Sequence, residues 1–345
     1  MVTGGTGSMG KVLVRRILSG ELGTPARVVI LSRDEAKQHE MRIEYLNRRI
    51  TTDEVIYRNS QTVLQFRIGD VREYADVCAG LRDSDIVFNA AALKQVPTCE
   101  YFPEQAIRTN CDGPVNIVRA IHELGYPVET VIGISTDKAC KPVNVMGMTK
   151  ALQERIFVSA NILAPRTRFI CVRYGNVLAS RGSVIPLFLQ QVKAGGPVTV
   201  TDPEMTRFLL SIDQSVDTVF TALKEAGPGE TYVPNIPSST VVNIAKALVG
   251  TRRIEVKTTG IRPGEKLHEI LVSEEECHHT VRRGPGYYAI LPMLPDIRER
   301  STEPNALKRE YSSTDNLLDL PQTSELLRKH ALMPEQVTDE GELLR

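Results

Sequence analysis

Thr3-Gly4-Gly5-Thr6-Gly7-Ser8-Met9-Gly10 decides how the chain is read. Gly4, Gly7 and Gly10 make a G-x-x-G-x-x-G run, and a helical pattern from Lys11 to Leu18 follows it directly. Glycines at this spacing permit a tight turn and a close approach of backbone to a pyrophosphate. The helix start then meets that anion with its unpaired N–H groups and the positive end of its dipole. The run extends to Thr6, Ser8 and Met9 as candidate contacts, and its weight depends on strands and helices following in the right order.

Working outward, short apolar runs alternate with longer amphipathic stretches. Val28 to Leu31, Leu64 to Ile68, Ile86 to Phe88, Val131 to Ile134 and Phe169 to Val172 are continuous and rich in β-branched residues. Such runs predict strands buried on both faces. Helical spacing is read between them over Glu35 to Arg49, Pro103 to Leu124 and Met148 to Leu163. The alternation predicts an α/β protein, a Rossmann-type doubly wound parallel sheet with helices on both faces. Turn punctuation at Gly195-Gly196-Pro197, Pro228-Gly229 and Pro263-Gly264 predicts a smaller α/β domain built from later segments. The expected division is 1–175 completed by about 208–235, then 176–207 with 236–300, then a polar tail over 301–345 that docks on the body or on a neighbouring subunit. Only Met1 and Val2 precede Thr3, so the numbering is expected to start inside the first strand.

Composition narrows the classes. Lys plus Arg is 42 and Asp plus Glu is 42, which argues against a general nucleic-acid binder. No apolar run is long enough for a membrane span, and no leader pattern is read, so a cytoplasmic location is expected. Cys78, Cys99, Cys111, Cys140, Cys171 and Cys277 form no C-x-x-C pair and are expected to be reduced. No metal site is expected, because His278 and His279 have no further ligand at suitable spacing.

The strand ends supply the candidate site. Ser32 and Arg33 follow the second strand, with Lys37 one helical turn on; an Arg there suits a ribose 2′-phosphate, so NADP is favoured over NAD, although Asp34 lies close. Gly69-Asp70-Val71 follows the third strand where an adenine would sit. Asn89-Ala90-Ala91-Ala92 follows the fourth, and its small residues let a dinucleotide lie against backbone. Ser135-Thr136-Asp137-Lys138 follows the fifth, and Met146-Gly147-Met148-Thr149-Lys150 comes shortly after.

These residues resemble the extended short-chain dehydrogenase/reductases. The run from Ser135 to Lys150 is similar to the soluble nucleotide-sugar 4,6-dehydratases that act on UDP-N-acetylglucosamine. Ser32-Arg33-Asp34-Glu35, Lys94-Gln95-Val96-Pro97, Arg173 to Leu178 and Arg262-Pro263-Gly264-Glu265-Lys266 extend the likeness over about residues 3–295. The resemblance implies a redox-neutral dehydration that feeds surface polysaccharide or glycan assembly. Hydride leaves C4 of the sugar for NADP, water is eliminated across C5 and C6, and hydride returns to C6, with inversion at C5 expected.

The resemblance also implies roles. Thr136 hydrogen-bonds the C4 hydroxyl, Asp137 protonates the departing C6 hydroxyl and Lys150 holds the nicotinamide ribose. Lys138 takes the C5 proton, provided desolvation or a nearby cation lowers its pKa. Lys94 is assigned to both cofactor and substrate, and Asn176, Arg181, Arg207, Arg262 and Glu265 to the nucleotide sugar. Met146 stands where the usual pattern has the Tyr that accepts the C4 hydroxyl proton, and a thioether cannot do that; Asp137 with Thr136 as relay is the expected substitute. Two alternatives stay open: an epimerase or reductase on the same scaffold, and a non-catalytic NADP-binding sensor. A homo-oligomer, up to a hexamer, is expected.

Overall fold

The computed structural model describes residues 1–46, 63–178, 183–261, 264–298 and 303–337. The apolar runs become β1 (Val2–Thr3), β2 (Val28–Ser32), β3 (Leu64–Ile68), β4 (Ile86–Asn89), β5 (Thr130–Ile134) and β6 (Arg168–Val172). Later in the chain come β7 (Val198–Val200), β8 (Thr206–Phe208), β9 (Thr231–Pro234), β10 (Ser238–Thr240), β11 (Val256–Thr258) and β12 (Ile270–Val272). The last four are β13 (Thr280–Arg283), β14 (Tyr287–Ile290), β15 (Tyr311–Ser312) and β16 (Leu317–Leu318).

Nine strands form one sheet in the order β3-β2-β1-β4-β5-β6-β9-β14-β13. It is parallel from β3 to β9, and β14 and β13 continue it antiparallel. The strand order reverses at β1, which pairs with both β2 and β4. That switch point opens a crevice beyond the carboxyl ends of the strands, where ligands of such sheets bind. The inner runs are buried on both faces as their composition requires: Val87, Val131, Ile132, Phe169 and Ile170 are all inaccessible, whereas β3, read in the same way, lies at the sheet edge and leaves Arg67 and Ile68 exposed. Each such side chain contributes roughly 1.5–3 kcal/mol of burial.

The helices that cover the sheet are Ser8–Leu18, Glu35–Leu46, Tyr74–Leu81, Gly113–Leu124 and Val145–Leu163. The stretch read as one helix from Pro103 to Leu124 is instead two, Pro103–Ile107 and Gly113–Leu124, joined by a wider π turn over Arg108–Asp112. Pro114 has no N–H to close a regular turn onto Asn110, and the backbone widens there. The turn buries Asn110, whose side chain donates to the Leu93 carbonyl at 2.9 Å and accepts from the Leu93 amide at 2.8 Å.

The second lobe packs helix Val184–Lys193, helix Val241–Val249, β7 and β11 around Ile185, Phe188, Ile244 and Leu248. The described part of the tail joins it: helix Leu320–Lys329 inserts Leu327, and β16 pairs with β10. One expected boundary moves. The hairpin β13–β14, read with the second domain as part of 236–300, extends the large sheet, because Tyr287 to Ile290 pair with β9. Among the described residues no helix is long and apolar enough to cross a membrane.

Candidate functional site

The candidate dinucleotide contacts from Gly4 to Lys94 come together. Gly4, Thr6, Gly7, Ser8, Met9, Gly10, Ser32, Arg33, Lys37, Asp70, Val71, Ala90, Ala91 and Lys94 all line one cleft of about 440 Å³ at the switch point. Gly4 has φ +64°, and a Cβ there would fall 2.8 Å from the Ala91 backbone. Only glycine lets the loop close onto β4 in this way. The helix that starts at Ser8 has no capping side chain and no acidic residue in its first turn. Its positive end therefore faces the cleft uncompensated, as an anion requires. The cleft thus fits a dinucleotide with its pyrophosphate on the loop.

The rim has its own electrostatics. The Ser32 hydroxyl lies 2.9 Å from that of Thr6. Asp34 is occupied elsewhere: it accepts from the Lys37 amide at 3.0 Å, starting the helix Glu35–Leu46, and pairs with the Lys37 ammonium at 2.5 Å. Asp70 accepts from Arg72 at 2.6 Å, and Arg33 stands 3.7 Å away. Burial opposes the Asp70 carboxylate, yet Arg72 and Arg33 hold its pKa below the ordinary value. The reading from sequence missed Arg72. Its signal was a cation two residues after Asp70, a spacing that lets one loop close the pair.

Beyond β5 lies the chemical site. Asp137 opens a short 3-10 turn, Asp137–Ala139, and is 1% exposed. Its Oδ1 accepts from the Thr136 hydroxyl at 2.8 Å and from the Lys138 ammonium at 3.0 Å. Its Oδ2 is buried with no partner. Lys138 Nζ also donates to Asn176 Oδ1 at 3.2 Å, so this expected substrate residue sits against the catalytic candidates. Helix Val145–Leu163 begins over the same turn, capped by Asn144, which accepts from the Gly147 amide at 2.8 Å. A Cβ on Gly147 would run into the Lys138 carbonyl oxygen. Gly147→Ala is therefore expected to push the turn away and lower turnover by at least about tenfold, since small misplacements are costly. Steady-state kinetics beside a thermal melt would separate that displacement from unfolding.

Three expected roles are changed by the geometry. The role of Lys138 as base carried the condition that its pKa be lowered. Burial and Arg207 do push it down, but the Asp137 and Glu269 carboxylates outweigh them and the net shift is upward. Lys150 is the amine that burial lowers, to about 8. It donates inward to the Ile134 carbonyl at 2.5 Å and to Gln153 at 2.7 Å, and it is not among the residues lining the cleft. Arg207, assigned to the diphosphate, is 8% exposed and donates to the carbonyls of Thr206, Leu267 and Lys266. A diphosphate contact would require it to give up bonds that hold this loop in place. Met146 is buried against Cys99 and Ala106 in a small apolar cluster. Glu265 lies in the loop whose Gly264 carbonyl accepts from Asn144 Nδ2 at 3.0 Å, above the chemical site. Arg181 and Arg262 lie outside the described residues.

Two groups escaped sequence reading. Glu269 sits 3.7 Å from both Lys138 Nζ and Arg207 Nε. Arg173, quoted only as part of a motif, bridges Glu154 at 2.6 Å and Glu276 at 2.7 Å inside the protein. The Ser135 hydroxyl donates to Glu154 at 2.5 Å, which ties this network to the end of β5.

The sheet order, the glycine loop and the cleft at the switch point define a Rossmann-type dinucleotide-binding fold. Residues 1–290 match the polysaccharide biosynthesis protein family, and the chain belongs to it. It is similar to a UDP-glucose 4-epimerase of Rickettsia conorii, 45% identical over 281 residues, covering 80% of this chain and 78% of that protein. The X-ray structure of Pen from Bacillus thuringiensis superposes with a TM-score of 0.84 at 30% identity, over 96% of this chain and 97% of that one. A dTDP-glucose 4,6-dehydratase from Streptomyces venezuelae, solved with NAD, shares the fold at a TM-score of 0.61 and 19% identity, covering 77% of this chain and 85% of that one. The comparisons thus group the chain with enzymes that modify nucleotide sugars.

Proposed function

We propose that the chain is an NADP-dependent 4,6-dehydratase of UDP-N-acetylglucosamine, acting in polysaccharide or glycan biosynthesis. The observation that carries this reading is the Thr136–Asp137–Lys138 chain, with Asp137 buried between two partly exposed neighbours. It holds a proton relay, an acid and an amine at one strand end, with the Asp137 Oδ2 unpartnered. Gly4, Thr6, Gly7, Arg33, Asp70 and Ala90 would hold the dinucleotide, which when bound would supply the hydride chemistry between C4 and C6.

The protein's part is proton movement. The C4 hydroxyl gives its proton to Thr136, whose own proton passes to Asp137 along the 2.8 Å bond. No tyrosine is needed, and Met146 is free to pack. Protonated Asp137 then donates to the C6 hydroxyl as it leaves as water. Neutral Lys138 takes the C5 proton, made acidic by the C4 carbonyl, and a proton returns to C5 after hydride reaches C6. Asn176 orients Lys138. Atoms balance with loss of one water.

Arg33 at the rim and the engagement of Asp34 by Lys37 support NADP. Arg33→Ala is expected to weaken NADP about 10- to 100-fold, the worth of a charged hydrogen bond, with NAD nearly unchanged. Fluorescence titration of both cofactors checks it; equal weakening of the two would overturn the preference.

The test of the function is incubation with UDP-N-acetylglucosamine and NADP in deuterated water. Loss of one water with deuterium at C5 is expected, and the C5 couplings should report inversion. A second reading, 4-epimerisation, is favoured by the name of the Rickettsia relative. It predicts an isomer of unchanged mass with no deuterium at C5. Binding of NADP without turnover of any nucleotide sugar would leave a sensor.

A further inference from the structure

Lys138 must be neutral to accept a proton, and the structure holds it as a cation. Three oxygens face its ammonium: Asp137 Oδ1 at 3.0 Å, Asn176 Oδ1 at 3.2 Å and Glu269 Oε1 at 3.7 Å. The charged groups around it are Asp137, Glu269, Arg207 and Lys266. Glu269 in turn faces Lys138, Arg207 and Lys266. Glu269 is 3% exposed, and its Oε2 is buried without a hydrogen-bond partner. Its backbone is fixed on both sides by Ser313, whose amide donates to the Glu269 carbonyl at 2.8 Å and whose hydroxyl accepts from the Glu269 amide at 2.9 Å. A buried carboxylate on a fixed backbone thus stands 3.7 Å from the amine, about 0.5 Å beyond hydrogen-bond range.

We propose that Glu269 is a positioning residue that takes the proton of Lys138 and so turns that lysine into the base of the reaction. The inference rests on the dehydratase reading. Once the C4 hydroxyl proton has reached Asp137, one of the two anions holding the ammonium is gone. An N–H bond of Lys138 then breaks as an O–H bond forms on Glu269, and the ion pair becomes two neutral groups with no change in net charge. Burial favours that exchange, because low polarity disfavours separated charges. Neutral Lys138 takes the C5 proton while Asp137 releases its own to the leaving hydroxyl. Lys138 returns its proton to C5, and Glu269 gives back the one it stored. Each group ends as it began.

The test uses Glu269→Gln, which keeps shape but cannot store the proton, and Glu269→Asp, which can. Because the wild-type transfer is internal, its kcat is expected to be level across neutral pH. In Glu269→Gln the proton must leave to solvent, so kcat should climb by up to about tenfold per pH unit, as a single essential deprotonation requires, with KM little changed. Glu269→Asp should restore the level profile. A Gln variant whose kcat runs parallel to the wild type overturns the proposal.

A second measurement does not depend on turnover. Lys138 is labelled with an amine-reactive acyl reagent across pH and quantified by mass spectrometry. Loss of the neighbouring carboxylate should lower the pH of half-labelling by about one unit or more. An unchanged midpoint overturns the proposal whatever the reaction. If wild type leaves UDP-N-acetylglucosamine intact, the dehydratase reading fails, while a shifted midpoint still upholds the hold of Glu269 on Lys138.

Discussion

Asp137→Asn is expected to lower kcat by about 10²–10⁴, the range for losing a general acid–base group, while NADP binds as before. The amide keeps the shape of the carboxylate and can still accept from Thr136 and Lys138. It cannot be protonated, so the route from the C4 hydroxyl through Thr136 to the C6 hydroxyl is cut. Asp137 does not line the dinucleotide cleft, which predicts unchanged cofactor affinity. Steady-state kinetics and a cofactor titration on the same sample decide it. A variant within tenfold of wild type would remove Asp137 from the mechanism. The variant should fold, since it deletes one charge from a site already rich in carboxylate.

The second large effect concerns stability. Arg173→Met is expected to cost about 3–5 kcal/mol, because it strands Glu154 and Glu276 in the interior without their counter-ion. Arg173 makes five hydrogen bonds there, four to the two carboxylates and one to the Leu271 carbonyl. The network joins β6, helix Val145–Leu163 and the segment that returns from the second lobe. It therefore acts as a clamp between the cofactor sheet and the loops around Glu269. Denaturant unfolding at neutral pH gives the magnitude; a change below about 1 kcal/mol, the surface-pair range, contradicts it.

The same network carries a pH signature. Burial works against the Glu276 carboxylate, but Arg173 and the Ser273 amide hold its pKa down at about 2, from 4.5. A depressed carboxyl adds stability that is complete above about pH 4.5 and is lost as pH falls towards 2. In Arg173→Met the sign reverses, since uncompensated carboxyls have raised pKa values. The gap between variant and wild type should therefore narrow on acidification.

Much of this was legible locally. The dinucleotide cleft is assembled from the first residues after β1, β2, β3 and β4, and each contact lies next to a recognisable strand. The strand bounds could be read because a two-sided buried strand needs an unbroken apolar run. Thr136, Asp137 and Lys138 were visible for the same reason, as a polar cluster at a strand end. The charge state of Lys138 was not. The adjacent Asp137 gives the stronger upward pull, but the balance against burial also rests on Glu269, distant in sequence, and a carboxylate among many gives no local sign of its partner. Arg207 misled in the opposite direction: a cation in a substrate loop looks available until its donors are found on three backbone carbonyls. The π turn before Pro114 was likewise hidden, since helical spacing continues through it.

Read alone, the order of glycine loop, apolar runs and amphipathic stretches was enough for the doubly wound sheet and for the residues of its cofactor crevice. Those features follow from periodicity and from steric needs of single positions, which every residue carries with it. Tertiary structure alone decided which lysine is held as a cation, which arginine is committed to the fold, and where the β13–β14 hairpin joins the sheet. These outcomes depend on Coulomb and hydrogen-bond terms between groups far apart in the chain, whose size is set by a separation that exists only after folding.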